Sequence, residues 1–468
     1  MRVLGIALLV VAAAFLGASA VVAGHALPLI VALLALLPVL LGWITLLEYV
    51  VVGSPFMFYV SLGGPLHAAA SDAVVPLLAL ALLVTGDLPR ESQRGIRRVV
   101  GFALLATTAA VASGAFAALM PRGFVLSEGV ANLAKLVIVL GYSCVVTAAV
   151  AALPMSRAFR ALRIWGWVAA VLAAGSMVTS FGGVPLIPGN DFRSFGFFQD
   201  PNLYAGYLLI SLAVVIAREC HRGMPETPFL LVALSGGVAA TASRSAVATL
   251  AVMLFLSALL ISARRVRWTL VGLGILGVWV TMGVLAARPD LLAFPAFQRL
   301  TSASEVAGND PRLALWGRAL DLWHSSPITG IGIGQYQLYS EDVYGISGRT
   351  GTGFVVHNTF LSFLTETGVI GLLVLVAGLI AVARTAAGLG DLGRRIDKAL
   401  LIGVVAVVAQ MMTLNLQNVR YVWILIGFIL GLELRRRSNP EELSPSVSTA
   451  ADAPSAPRPE RQQPATVR

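Results

Sequence analysis

Charge is scarce in this chain, and cysteine and lysine are nearly absent. Only 12% of its 468 residues are Asp, Glu, Lys or Arg, while 57% are hydrophobic; soluble domains carry roughly 25% charge. That balance excludes an ordinary soluble enzyme and defines an all-α polytopic membrane protein. Two cysteines, Cys144 within an apolar run and Cys220 in a basic stretch, exclude a disulfide framework and a cysteine-based metal site. Asp200, Asp310, Asp321, Glu341, Asp342 and Glu366 make no closely spaced Asp-x-Asp or other recognisable metal motif. The expected chemistry therefore uses no metal and no cofactor. A net charge of +10 could suit nucleic acid, but the arginines fall in short clusters between apolar runs, as positive-inside loops do. No nucleic-acid partner is expected.

What is abundant is apolar sequence. Runs long enough to cross a hydrocarbon core, which takes about 20 residues, lie near 3–23, 27–47, 99–119, 131–152, 244–262, 268–286, 358–383 and 399–415. Shorter or interrupted ones lie near 72–87, 164–181, 203–217, 228–241 and 420–434. Together they predict about 12 to 14 spans. The clusters Arg90/Arg94/Arg97/Arg98, Arg157/Arg160/Arg163, Arg218/Arg222, Arg264/Arg265/Arg267, Arg394/Arg395/Lys398 and Arg435/Arg436/Arg437 occupy every second connection, which assigns them to the cytoplasm. Before residue 90 the parity does not close. Either Tyr49–Leu66 also enters the membrane or the N-terminus lies outside. Residues 1–23 read as an uncleaved first span or as a signal peptide ending at Ala18-Ser19-Ala20. After Arg437 the Ser/Pro/Ala/Glu/Arg-rich tail, 438–468, cannot bury enough apolar area to fold and is expected to be a disordered cytoplasmic segment.

The opposite side receives Gly182–Asn202, the link Thr241–Ser245, the long segment 288–357 and the link Gln417–Arg420. Long loops without an evident need for length are usually functional. Asp200-Pro201 is a cap followed by proline at the first helical position, opening a span. Ser243-Arg244-Ser245 opens another, His357-Asn358 a third, and Arg420 the last. Asp310-Pro311 has the same cap signature before Arg312, Trp316, Leu320 and Trp323, which predicts a short amphipathic helix ending before Pro327. Arginine at a helix N-terminus opposes the macrodipole. For Arg244 and Arg312 the conflict disappears if a bound anion sits there, since free helical N–H groups and guanidinium forks together suit phosphate. Arg193, Arg288, Arg299 and Arg349 read more simply as snorkelling or solvated. His357, at a loop-to-helix junction, could act as a neutral imidazole base or could be structural. The glycines 330, 332 and 334 lack a nucleotide-loop context and predict tight backbone turns near a ligand or helix.

Taken together, Phe195-Gly-Phe-Phe-Gln-Asp-Pro-Asn202, Ser243-Arg-Ser245, Pro311-Arg312 with Trp316, Gly330-Ile-Gly-Ile-Gly-Gln-Tyr336, His357-Asn-Thr-Phe-Leu361, Glu366-Thr-Gly368 and Gly371 resemble the O-antigen ligase family. The resemblance covers about residues 190–385. It implies a GT-C-like helical bundle whose long extracytoplasmic loop carries short helices, and a glycosyltransferase of the cytoplasmic membrane. Such an enzyme moves a glycan from a polyprenyl (undecaprenyl-type) diphosphate carrier to an acceptor hydroxyl of a glycan, lipid or protein on the outer face, with inversion. Membrane lipids are the remaining expected partners. The resemblance implies His357 as acceptor base and Arg244 and Arg312 as diphosphate ligands; Asp200, Asn202, Tyr336, Asn358 and Arg420, placed at or near the same helix starts, are expected in support. It organises the chain as N-terminal spans (1–189), a catalytic region (190–385) and C-terminal spans (386–437). A transporter or flippase of lipid-linked glycans is the alternative; it would place its charges midway through spans.

Overall fold

A computed structural model of the chain describes residues 45–58, 68–69, 71–72, 74–85, 90–120, 123–182, 184–190, 193–198, 200–221, 224–261, 264, 267–275, 311–340, 354–388 and 395–439. The apolar runs 3–23 and 27–47 (but for the last residues of the second), the end of the run 268–286, Arg288, Arg299, Arg349, Asp310 and the tail after 439 lie outside these residues. Among the described residues the fold is mostly helical. The helices are α1 (Leu46–Gly53), α2 (Val74–Thr85), α3 (Arg90–Ala118), α4 (Leu126–Ala152), α5 (Met155–Gly182), α6 (Pro201–His221), α7 (Thr227–Ala240), α8 (Arg244–Leu260), α9 (Pro311–Ser325), α10 (Thr359–Gly388), α11 (Arg395–Met411) and α12 (Arg420–Ser438). Two short antiparallel hairpins accompany them: β1 (Met57–Phe58) with β2 (Ala68–Ala69), and β3 (Gly189–Asn190) with β4 (Arg193–Ser194).

Among the described residues five helices, α3, α4, α5, α6 and α10, are long and apolar enough to cross a membrane. Shorter apolar segments lie in α2, α7, α8 and α11. Leu83, Leu104, Phe255 and Leu373 are exposed on these helices, which is the expected face toward lipid, a solvent as apolar as leucine itself. In contrast α6 and α12 are buried on nearly all sides. Small residues allow that close packing. Gly427 of α12 meets Ser143 and Val146 of α4, and Gly431 meets Thr147 and Val150, so the two helices run parallel in register.

Several arginine clusters that hydropathy places in connections are helical instead. Arg90, Arg94, Arg97 and Arg98 form the first turns of α3, Arg157, Arg160 and Arg163 belong to α5, and Arg435, Arg436 and Arg437 end α12. Arginine is a good helix former, and its long stem lets the helix continue while the head snorkels. These groups knit one end of the bundle. Arg435 donates to the carbonyls of Ala151 and Ala152 (3.3 and 3.2 Å), Arg163 pairs with Glu226, and Ser92 bonds Ser438 (2.7 Å). Near the N-terminus, Thr45 and Glu48 form a capping box on α1, and Arg160 pairs with Glu48 at 3.1 Å. The stretch that begins at Tyr49 is thus buried within the bundle as far as Phe56.

Candidate active site

The other end of the bundle collects the expected residues. Asp200 caps α6: one carboxylate oxygen accepts from the backbone N–H of Asn202 (2.6 Å) and Leu203 (3.3 Å). Beneath it the aromatic rings of Phe198, Tyr204, Tyr207 and Tyr421 pack against one another, Phe198 and Tyr207 at 5.5 Å between centroids and Tyr207 and Tyr421 at 5.6 Å. Tyr421 also donates its hydroxyl to the Leu203 carbonyl (2.9 Å). The mouth of α6 therefore rests on a rigid apolar platform.

Asn202 ties α6 to α8. Its side-chain oxygen accepts from the Ser243 hydroxyl (2.8 Å) and from Arg193 (3.3 Å). Arg193 also donates to the Thr241 carbonyl (2.9 Å), so it braces the α7–α8 link and is not merely solvated. Ala242 in that link has a φ of 49°, in the left-handed region. A non-glycine residue adopts that conformation at a cost of roughly 1 to 3 kcal/mol, and such strain gathers at functional positions. Arg244 follows as the first residue of α8.

His357 is arranged in the same way. Its φ is 52°, and Asn358 next to it caps α10 by accepting the Leu361 N–H (3.1 Å). Two bonds fix the histidine's surroundings. The Trp316 indole of α9 donates to the Val356 carbonyl (3.0 Å), and the Thr359 hydroxyl donates to the Leu414 carbonyl (2.7 Å). Arg312 precedes Trp316 by one helical turn on α9, and residues so spaced stand about 5 to 6 Å apart. Arg312 is thereby brought toward the His357 junction. Arg244 is linked to it through the end of α11: Gln410 donates to the Ser245 carbonyl (3.3 Å), and Leu414 lies four residues on, in the link just past α11. Arg244, Arg312 and His357 thus belong to one end of the bundle, opposite the helical arginine clusters.

The glycine series docks the loop onto α10. Gly330, Gly332 and Gly334 have φ of 73°, 99° and 76°. Ile331 N–H donates to the Thr365 carbonyl (2.9 Å), and Gly332 N–H to the Glu366 carbonyl (3.0 Å). There α10 kinks at Gly368, whose φ is 66°. The kink frees helical carbonyls that the loop then satisfies. A Cβ at Gly330 or Gly368 would overlap the other segment's backbone. Tyr336 donates its N–H to the buried Glu366 carboxylate (3.3 Å) and its hydroxyl to the Leu315 carbonyl (2.8 Å). The reading of these glycines as turns against a helix is what the structure shows.

Arg420 is placed differently. It is buried, and it pairs with Asp72 at 2.8 Å; Asp72 also accepts from the Tyr142 hydroxyl (2.6 Å). It stands on α12, below the other candidates, and joins α12 to the α2 and α4 side of the bundle. Sequence reading passed over Asp72, Ala242 and Lys135. Lys135 lines a polar cavity of about 110 Å³ beside Val355 and Val356, the residues that precede His357.

A helical membrane protein whose strained loop-to-helix junctions bring arginines and a histidine to one end is what these elements define. Residues 229–376 match the family model described as O-antigen ligase, the family that the motifs resemble. This segment runs from α7 into α10 and includes Arg244, Arg312, Tyr336, His357, Asn358 and Glu366. The match supports an O-antigen-ligase-like glycan-transfer function in the membrane. No curated protein matches the chain.

Proposed function

We propose that the protein transfers a glycan from a polyprenyl diphosphate carrier to an acceptor hydroxyl, at the outer face of the cytoplasmic membrane. The basic end and the C-terminal tail then face the cytoplasm, and the full bundle has about 12 to 14 spans. His357 takes the proton of the acceptor hydroxyl as its oxygen bonds to the anomeric carbon. The bond from that carbon to the diphosphate breaks, and the electron pair leaves with the phosphate. Arg244 and Arg312 meet the charge that grows there; preorganised charge aimed at a leaving group is often the largest single contribution to catalysis. Displacement in one step inverts the sugar. Asp200, Asn202, Tyr336 and Asn358 hold these groups in place, and Arg420 with Asp72 supports the bundle behind them.

The observation that carries this reading is the pair of strained junctions, Ala242 before Arg244 and His357 itself, linked through Gln410 and Leu414 of the α11–α12 region. A transporter reading would want its charges midway along the spans. The test is transfer from purified polyprenyl-diphosphate glycan by the full-length protein. Loss of transfer in His357→Ala and Arg244→Ala supports the roles; wild-type rates in both variants would sink them.

A further inference from the structure

The cavity beside Val355 and Val356 is lined mostly by neutral hydrogen-bonding side chains, with one lysine and one glutamate, Glu366. Asn132 and Lys135 come from α4, Ser362 from α10, and Asn415, Gln417 and Asn418 from the α11–α12 link. Its volume is about 110 Å³, room for several water-sized groups, since a single water needs only about 10 to 15 Å³ by the same measure. The buried side-chain oxygen of Asn418 has no hydrogen-bond partner among the described residues. An acceptor left in that state is destabilising unless a donor reaches it.

Two features point away from a diphosphate. Glu366 lines the cavity together with Lys135, so the formal charges offset each other rather than summing to a positive well. Amides and hydroxyls, each with donors and acceptors, dominate the rest, which is what vicinal sugar hydroxyls require.

The cavity's position adds a direction. α8, with Arg244, packs on α6, α7 and α11, whereas α4, with Lys135, packs on α2, α3 and α12. The start of α10 and the α11–α12 link lie between them, joined by the Thr359–Leu414 and Asn415–Ser362 bonds. Arg244 and Lys135 therefore stand on helices of different packing groups, with the elements of the His357 junction joining the two groups. In-line displacement needs the incoming hydroxyl and the departing group on opposite sides of the reacting carbon.

We infer that this cavity is a saccharide subsite, which holds a hydroxyl-rich ring of the acceptor with Lys135 as its specificity-determining residue. The direction of approach rests on the function proposed above; the saccharide chemistry of the cavity does not. Detergent-solubilised full-length protein is titrated with oligosaccharide released by mild acid from the host's finished surface glycan, which carries the acceptor sugars, and separately with inorganic pyrophosphate, following the rise in Tm. The oligosaccharide should stabilise saturably. Lys135→Met should raise its half-saturating concentration by about tenfold or more, as loss of a hydrogen bond to a charged group does, and Lys135→Arg should recover part of it. Asn418→Asp, of nearly unchanged size, should weaken binding again. No stabilisation by the oligosaccharide, an unchanged midpoint in Lys135→Met, or displacement of the oligosaccharide by pyrophosphate would each overturn the assignment. Failure of the transfer reading shows elsewhere, in wild-type rates for His357→Ala and Arg244→Ala.

Discussion

Ala242 and His357 are the two non-glycine residues with positive φ among the described residues, at 49° and 52°, and each stands at the threshold of a helix that opens on the candidate site. Strain of this kind persists only where the surroundings over-determine it. Bonds from Arg193 to Thr241 and from Trp316 to Val356 supply that constraint on either side.

The first prediction separates strain from chemistry at His357. Glycine accepts the left-handed conformation without a steric penalty, so His357→Gly should keep or slightly raise Tm. It should nevertheless lose transfer by roughly 10²- to 10⁴-fold, the range of general base catalysis. A thermal melt and a transfer assay on the same preparation check both halves.

At Arg244, truncation to Ala should lower kcat by roughly 10²- to 10³-fold, as for removal of one preorganised charge-stabilising donor. Lysine keeps the charge but not the guanidinium fork, so Arg244→Lys should recover only part of the rate. The same series at Arg312 should run in parallel. Full activity in both lysine variants would show that bidentate contact is unimportant.

Gly368 tests the docking of the loop on the kinked helix. With a φ of 66° and a Cβ that would overlap the Ile328 carbonyl, Gly368→Ala should cost at least about 2 kcal/mol from backbone strain and overpacking together. Protease accessibility of the segment after α9 should rise in the variant. An unchanged melt and digestion pattern would contradict the tight approach.

The buried pair of Arg420 and Asp72 should behave as a unit. Removing one partner, as in Asp72→Asn or Arg420→Gln, should cost about 3 to 5 kcal/mol because a buried charge is left uncompensated. The double variant should be much closer to wild type than the sum of the single losses. Additive losses would mean that Arg420 is held by something other than Asp72.

Acid should weaken the basic end. Burial alone would raise the Glu226 carboxyl, but hydrogen bonds from its own backbone and from Arg163, with the charge of that guanidinium, outweigh this and hold it below 4.5. A carboxyl lower in the folded state contributes stability above its unfolded value and loses it as pH falls through the folded one. The Tm should therefore fall below about pH 4.5, and Glu226→Gln should flatten that slope. Arg163 is well exposed, so the effect should be modest and should shrink with salt.

The sequence is most readable where function is built on local rules. Asp200 before Pro201 and Asn358 before the apolar run of α10 are caps, and a cap announces itself within four residues. The Gly330 series likewise carries its conformation in its composition. Hydropathy alone starts several helices too late, because arginines that belong to the first turns of α3 and α5 dilute the apolar signal. Ala242 leaves no trace in sequence, since alanine carries no preference for a left-handed turn. Asp72 and Arg420, or Lys135 and Asn418, lie far apart in the chain and meet only through helix packing. Scattered amides on separate helices have no period to detect.

The parallel register of α12 with α4 carries one more implication. Gly427 stands level with Ser143 and Val146, so α12 begins roughly 15 Å or more below the start of α4, at 1.5 Å per residue. The short link before Arg420 thus lies at depth in the bundle rather than at its rim, where Gln417 and Asn418 line the polar cavity. Under the function proposed above, the carrier's head group would have to reach that depth while its chain stays in the hydrocarbon layer.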